Sequence, residues 1–157
     1  NFLIKAAVVA QKAGVRGLYI YGPAESKSLA QATDPYQAMG LYQQITSGPY
    51  HATITPGGVA WRTVSHLLSS RQYDPAATTR LQLPSHIDGG AFYSVNDKDY
   101  IYVLWAKTSG TSETTTAEYS FPASFNIKNA TQFNWENKQT AVSSPLKLTG
   151  SPVFIKP

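Results

Sequence analysis

The sequence contains no cysteine, which excludes disulfide bonds, thiolate metal ligands and a catalytic thiol. It also lacks any apolar run close to the roughly 18 residues that a bilayer span needs. The apolar stretch at the beginning is interrupted by Lys5 and closely followed by Lys12, so it does not match a signal peptide. Charged residues make up 14% of the chain, below the usual quarter or so. We therefore expect a folded protein without thiol chemistry and without a membrane partner.

The sequence also lacks a strong excess of either sign of charge. The 13 Lys and Arg residues exceed the 9 Asp and Glu residues only slightly, giving a net charge of +4, and they occur singly along the chain. Without a basic run or a basic–aromatic stripe, we expect no nucleic-acid partner. His51, His66 and His86 are far apart and have no neighbouring carboxylate motif, so we expect no metal site. The sequence contains no phosphate-binding glycine loop and no Gly-x-Ser-x-Gly elbow, and we expect no cofactor.

Aromatic and turn-forming residues are abundant instead. Aromatics reach 12% of the chain, led by ten Tyr, and there are eleven Gly and ten Pro. Tyr and Thr favour strands, and Gly and Pro favour turns. The composition therefore predicts a protein rich in short strands.

The first part of the chain combines helix and strand patterns. Residues 2–13 predict a helix that ends before Gly14, and Leu18–Tyr21 predict a short strand buried on both faces. Gly22-Pro23 stops that strand, and Thr55-Pro56 begins a further helix that runs to residue 68. Helix, strand, loop and helix form the repeat unit of an α/β protein with parallel strands. A parallel sheet needs a second such strand, so we expect this region to be the tail end of a larger barrel.

Two details refine this region. Asp34-Pro35 predicts a short helix that ends before Gly40. Gly57 and Gly58 lie at the start of the final helix, where each costs about 1 kcal/mol relative to Ala. We interpret them as the sign of a close approach to another backbone.

From Tyr73 onwards the sequence predicts strands and turns, with no helix. The strongest strand is predicted at 100–106, after a hairpin turn at 96–99. Further strands are predicted at 80–83, 90–95, 117–121, 126–129, 132–134, 139–142, 146–148 and 153–155. About eight short strands with turns between them are typical of a β-sandwich. We therefore predict two domains, residues 1–70 and residues 71–157.

Several motifs in this order are similar to one class of enzyme. They are Gly17-Leu-Tyr-Ile-Tyr-Gly-Pro-Ala-Glu25, Met39-Gly-Leu-Tyr42, the helix segment 55–68, Tyr102-Val-Leu-Trp-Ala106, Tyr119-Ser-Phe-Pro122 and the ending 148–156. The whole chain resembles the C-terminal portion of glycoside hydrolases built on a (β/α)8 barrel. The resemblance implies an α+β fold overall, in which a terminal βα piece of a TIM barrel is followed by an antiparallel β-sandwich.

The resemblance also implies where catalysis takes place. In this clan the acid/base carboxylate follows the fourth barrel strand and the nucleophile follows the seventh. If Leu18–Tyr21 is the eighth strand, both carboxylates lie upstream of Asn1, and this chain holds no catalytic residue. We therefore expect a truncated chain that is inactive alone and that pairs with the upstream barrel portion of the same protein. We expect that protein to be secreted or periplasmic and to act on a poly- or oligosaccharide.

Glu25 and Tyr21 are the candidate substrate-binding residues. Glu25 follows the C-terminal end of the predicted strand, where barrel enzymes place their chemistry. It could bind sugar hydroxyls, act as the nucleophile if the strand is the seventh, or be a loop carboxylate or N-cap near Ser26. Tyr21 is nearest the rim and could stack on a sugar ring, although Tyr19 and Tyr21 also suit a barrel lining.

Two other functions fit the second half of the chain. An autonomous carbohydrate-binding β-sandwich would need an exposed row of aromatics, which Tyr100, Tyr102, Tyr119 and Trp135 could supply. A structural or adhesion-type sandwich would need no small ligand. Trp61 and Trp105 are expected to serve packing in either case.

Asn129-Ala-Thr131 matches the acceptor triplet for N-linked glycosylation. Such triplets arise often by chance. The sequence alone gives this one little weight.

Overall fold

The computed structural model describes residues 1–28, 30–43, 52–108 and 113–157, and has a mixed α+β fold. The helices are α1 (Phe2–Lys12), a 3₁₀ helix (Pro35–Ala38), α2 (Pro56–Leu68) and α3 (Pro75–Arg80). The strands are β1 (Tyr42–Gln43), β2 (Thr53–Ile54), β3 (Gln72–Asp74), β4 (Ile87–Ser94), β5 (Asp99–Ala106), β6 (Thr116–Tyr119), β7 (Thr131–Phe133), β8 (Gln139–Ala141), β9 (Leu146–Thr149) and β10 (Val153–Lys156). The helices predicted at 2–13, after Asp34-Pro35 and from Pro56 are confirmed.

A six-stranded antiparallel sheet forms the centre of the structure. Its order is β3-β4-β5-β10-β7-β8. The longest pair is the β4–β5 hairpin, whose register runs from Ile87 opposite Ala106 to Ser94 opposite Asp99. The predicted hairpin turn and the strong strand after it are therefore confirmed.

The central strands of the sheet are buried on both faces, which the alternation along β5 illustrates. Ile101, Val103 and Trp105 point to one face, and the residues between them point to the other, because successive strand side chains alternate. On the first face they join the helix-side core, made by Ile4, Val8, Ala60, Val64, Leu67, Leu68, Phe92, Ile101, Val103, Trp105 and Phe154. Helices α1 and α2 thus cover one face of the sheet.

A smaller two-stranded sheet, β6 with β9, covers the opposite face. Its buried side chains, including Tyr119, Leu146 and Leu148, pack with Tyr102 and Leu104 of β5. Helix α3 adds Ala77 to the same core, and Leu81 directly after it adds a second apolar side chain. The layer opposite the helices is therefore a two-stranded ribbon with a short helix.

Helix α3 lies in a region where we predicted only strands, so the strand predicted at 80–83 is wrong. Asp74 caps the helix by accepting a hydrogen bond from the Ala77 N–H at 2.8 Å, and Pro75 occupies the first turn. Asp74-Pro75 repeats the dipeptide Asp34-Pro35, which correctly predicted the 3₁₀ helix after Asp34. The strand predicted at 126–129 is also wrong, because the chain turns there.

The segment Leu18–Tyr21 is not a strand in the structure. It has no strand partner among the described residues, and its tyrosines are exposed. Backbone pairing defines a strand, and the described part of the chain supplies no strand that pairs with this segment.

Polar contacts fasten α1 to the sheet. The Lys12 Nζ lies 2.6 Å from Asp88 Oδ1 and donates to the Gly89 carbonyl at 2.8 Å, and the Gln11 amide donates to the Arg71 carbonyl at 3.1 Å. Residues on both sides of position 70 thus share one core, and the division into two domains stays a prediction. None of the described helices is long and apolar enough to cross a membrane.

Candidate functional site

Glu25 and Tyr21 line the same cavity, which has a volume of about 290 Å³. The cavity is also lined by Phe2 at the beginning of α1, by Met39 after the 3₁₀ helix and by Pro56 at the start of α2. The structure therefore brings the two candidate substrate-binding residues together.

Backbone hydrogen bonds hold the loop that carries Glu25. Gly22 has a φ of +77°, a conformation that glycine adopts without steric cost, and it begins the turn. The Pro23 carbonyl then accepts hydrogen bonds from the N–H groups of Leu41 and Tyr42, both at 3.1 Å. The Glu25 N–H donates to the Tyr42 carbonyl at 2.8 Å. The loop is thus fixed to residues 41 and 42, and Leu41 contacts the start of α2.

The start of α2 supports that segment directly. Thr55 Oγ1 accepts from the Gly58 N–H at 3.0 Å and donates to the Gly40 carbonyl at 2.7 Å. A Cβ on Gly58 would lie 2.2 Å from the Leu41 carbonyl oxygen, so the close backbone approach predicted at the beginning of this helix is confirmed there. At Gly57 the prediction is wrong, since the nearest atom to an added Cβ is Thr55 Oγ1 at 3.5 Å.

Glu25 is half-buried as a residue, and its carboxylate has no hydrogen-bonding or ionic partner in the described part of the chain. It does not cap a helix: the N–H groups of Ser26 and Lys27 both donate to the Gln37 carbonyl, and the next helix is capped by Asp34. A free carboxylate beside an apolar cavity wall can accept hydrogen bonds from hydroxyl groups.

An open apolar groove of about 1100 Å³ adjoins the cavity and shares Tyr21 with it. Three tyrosines that line the groove are highly exposed: Tyr19 at 93%, Tyr21 at 92% and Tyr36 at 75%. Sequence reasoning did not select Tyr36, although it directly follows the recognised Asp34-Pro35 helix start. Flat aromatic faces of this kind are amphipathic contact surfaces.

The three tryptophans serve packing. Trp105 is buried in the helix-side core, and Trp61 and Trp135 are half-buried against it. The packing roles predicted for Trp61 and Trp105 are confirmed. Trp135 packs against the core and does not stand free as an exposed platform.

The tyrosines considered for a binding row on the sheet are not exposed together. Tyr102 and Tyr119 are buried, and burial raises the pKa of each to about 12. Tyr100 is half-buried and donates through its hydroxyl to Asp74 Oδ2 at 2.8 Å. Tyr102 and Tyr119, packed in this way, cannot contribute to an exposed aromatic row.

The histidines do not form a site among the described residues. His66 and His86 are exposed on different elements, and His51 lies outside the described residues. Within the described ranges, no group of three His, Cys, Asp or Glu side chains is placed to hold a metal ion.

Comparisons of the chain with protein-family models, with curated proteins and with solved structures gave no match. An assignment of function therefore depends on the residues and the geometry described above.

Proposed function

We propose that this chain is the C-terminal part of a (β/α)8-barrel glycoside hydrolase that acts on a poly- or oligosaccharide. Residues 18–21 would supply the last barrel strand, α1 and α2 would be the helices before and after it, and the sheet would form the accessory domain. The catalytic carboxylate pair would come from upstream residues. A barrel of this type takes about 250 residues, so most of it would precede residue 1.

The observation that carries the proposal is the uneven distribution of exposed apolar side chains. Among the described residues, the large exposed hydrophobic ones are Phe2, Val9, Val15, Leu18, Tyr19, Tyr21, Tyr36, Met39, Tyr42 and Val95. All of them except Val95 lie between residues 2 and 42. Six of these side chains, Phe2, Leu18, Tyr19, Tyr21, Tyr36 and Met39, line the same groove. Clustered exposed apolar side chains are typical of interaction sites, and a barrel wall would cover them.

Helix α1 supports the same interpretation because it has two apolar faces. Ile4 and Val8 are fully buried in the helix-side core. Phe2 and Val9 lie on the opposite side of the helix and are 74% and 50% exposed. A helix that is apolar on both sides is suited to lie between two layers, as barrel helices do when they also contact an accessory domain.

The segment 18–21 offers backbone groups for strand pairing. Its N–H and C=O groups make no hydrogen bond to other described residues. In a barrel, two parallel neighbours would satisfy both edges of this segment. Its apolar side chains Leu18 and Ile20 would then be buried inside the barrel wall, because parallel strands are covered on both faces.

Glu25 and Tyr21 would bind substrate at the rim of the completed barrel. The unpaired carboxylate of Glu25 would accept hydrogen bonds from sugar hydroxyls, and Tyr21 would contact a ring face. Hydrolysis itself requires a pair of carboxyl groups, about 5–5.5 Å apart for retention or about 6.5–9.5 Å for inversion. Catalysis would therefore need the upstream carboxylates in addition.

The test uses both the isolated chain and the intact protein that contains it. The isolated chain should not hydrolyse aryl glycosides, and turnover that persists through repurification would contradict the proposal. In the intact protein, Glu25→Gln should raise KM for an oligosaccharide by about 10- to 100-fold, the equivalent of one charged hydrogen bond of about 1.5–3 kcal/mol.

Glu118→Gln provides the matched control, because Glu118 is an exposed carboxylate on β6 of the small sheet. Its KM should equal that of the wild type. An intact protein that hydrolyses no glycoside, or equal KM values for all three proteins, would rule out the assigned role of Glu25.

A further inference from the structure

Asn129 stands at an exposed turn directly before β7. The turn is closed by the Ala130 N–H, which donates to the Ile127 carbonyl at 3.0 Å. Asn129 is exposed, whereas Ala130 beside it is buried in the core. Within the described chain the side-chain amide of Asn129 makes no hydrogen bond, so a substituent on its nitrogen would break no contact.

Thr131 completes the triplet and is the first residue of β7. It pairs with Ala141 of β8 on one side and with Lys156 of β10 on the other. The triplet therefore spans the change from turn to strand. Acceptor asparagines belong in surface loops of this kind.

Next to Asn129 the surface forms a shallow, open groove of about 520 Å³. Residues 128–131 line one side of it and residues 139–142 line the other. The second side includes β8, an edge strand of the large sheet whose three residues are all exposed. Unpaired edges of this kind invite strand addition from other chains, and proteins often cover them.

We propose that Asn129 accepts an N-linked glycan when the chain passes through a eukaryotic secretory pathway, and that the first sugars lie over the groove beside β8. The donor is an oligosaccharide joined to a polyprenyl diphosphate. The bond between the anomeric carbon and the phosphate oxygen breaks, and that carbon bonds to Nδ2 of Asn129. The amide nitrogen loses one proton and the polyprenyl diphosphate leaves. The glycan then shields the free edge of the sheet.

The test is secretion of the 157-residue chain from yeast behind a signal peptide. Both the medium and the microsomes are analysed, because the transfer precedes export. Treatment with peptide-N-glycosidase should increase the gel mobility of the wild type, and mass spectrometry in ¹⁸O-water should place the label on residue 129. Asn129→Gln and Thr131→Ala should remove the mobility shift.

Thr131→Ser should keep the shift, because serine also completes the triplet. Asn126→Gln should keep it as well, since Asn126 is exposed in the same loop but lies outside the triplet. Unmodified Asn129 in both fractions would overturn the proposal. For the shielding role, the enzymatically deglycosylated chain should aggregate faster than the glycosylated chain, and equal rates would overturn that role.

Discussion

The arm, residues 13–28 and 30–43, differs sharply from the body formed by α1, α2, α3, the six-stranded sheet and the β6–β9 sheet. None of the arm's residues is buried. In the body, a single strand, β5, contributes six consecutive buried residues, from Ile101 to Ala106. Yet both regions contain apolar runs with turn residues at their ends. Their difference lies in the neighbours that each run has within this chain.

The comparison shows what a continuous apolar run can and cannot predict. Residues 18–21 and 100–106 both match the pattern of a strand buried on two faces. Within the described residues, only the second has strands on either side, β4 and β10. An apolar run therefore predicts that a segment will be buried. It does not predict whether the burying residues belong to the same chain.

The largest expected effect comes from truncating a core side chain of the body. Phe154 of β10 is fully buried in the helix-side core, so Phe154→Ala should lower the free energy of unfolding by about 3–5 kcal/mol. Tyr21→Ala in the arm should change it by less than about 0.5 kcal/mol, since Tyr21 is exposed. Urea unfolding of the isolated chain measures both. Similar losses for the two variants would remove the distinction between arm and body.

An intermediate effect is expected where the arm meets the body. Gly58→Ala should destabilise the chain by about 1–3 kcal/mol, because the new Cβ would meet the Leu41 carbonyl oxygen, a backbone atom. Gly57→Ala has room and should gain up to about 1 kcal/mol from helix propensity. Thermal unfolding of the pair provides the measurement. If Gly58→Ala were as stable as Gly57→Ala, the arm would not be seated on α2.

The smallest effect concerns the acid sensitivity of the body. Hydrogen bonding from the Ala77 N–H is the main cause that lowers the pKa of Asp74; burial opposes it, and the Tyr100 hydroxyl assists it. Because the native pKa is depressed, the stabilisation is complete above the ordinary value of 3.8 and is lost as the pH falls below it. Asp74→Asn should keep the helix cap and reduce the loss of stability at low pH. Asp74→Ala should lower the free energy of unfolding by about 1 kcal/mol at neutral pH. Unfolding midpoints measured at pH values above and below 3.8 test whether Asp74 causes this loss of stability. If Asp74→Asn lost as much stability in acid as the wild type, Asp74 would not be the cause.

Local signals predicted much of the body. The cap and proline pairs at Asp34 and Thr55 marked their helices, and the apolar residues of β5 marked the central strand. Helix α3 was missed because its six residues are too short to show a helical period, although Asp74-Pro75 carried the same cap pattern. Short elements of this kind are recognised by their caps and hardly by periodicity.

The candidate site could be predicted in part. The position of Glu25 after an apolar run drew attention to it, and the structure places it with Tyr21 in one cavity. The contribution of Phe2 and Pro56 to that cavity depends on how α1 and α2 pack, which involves contacts distant in sequence. The exposed Tyr36 could not be selected because a tyrosine in a first helical turn has no distinctive pattern.

The central claim is that residues 18–21 pair with strands supplied by upstream sequence. Hydrogen–deuterium exchange of the protein purified from its natural source, compared with the isolated 157-residue chain, tests it directly. We expect slow exchange of these four amides in the natural protein and fast exchange in the isolated chain. Fast exchange in both would contradict it.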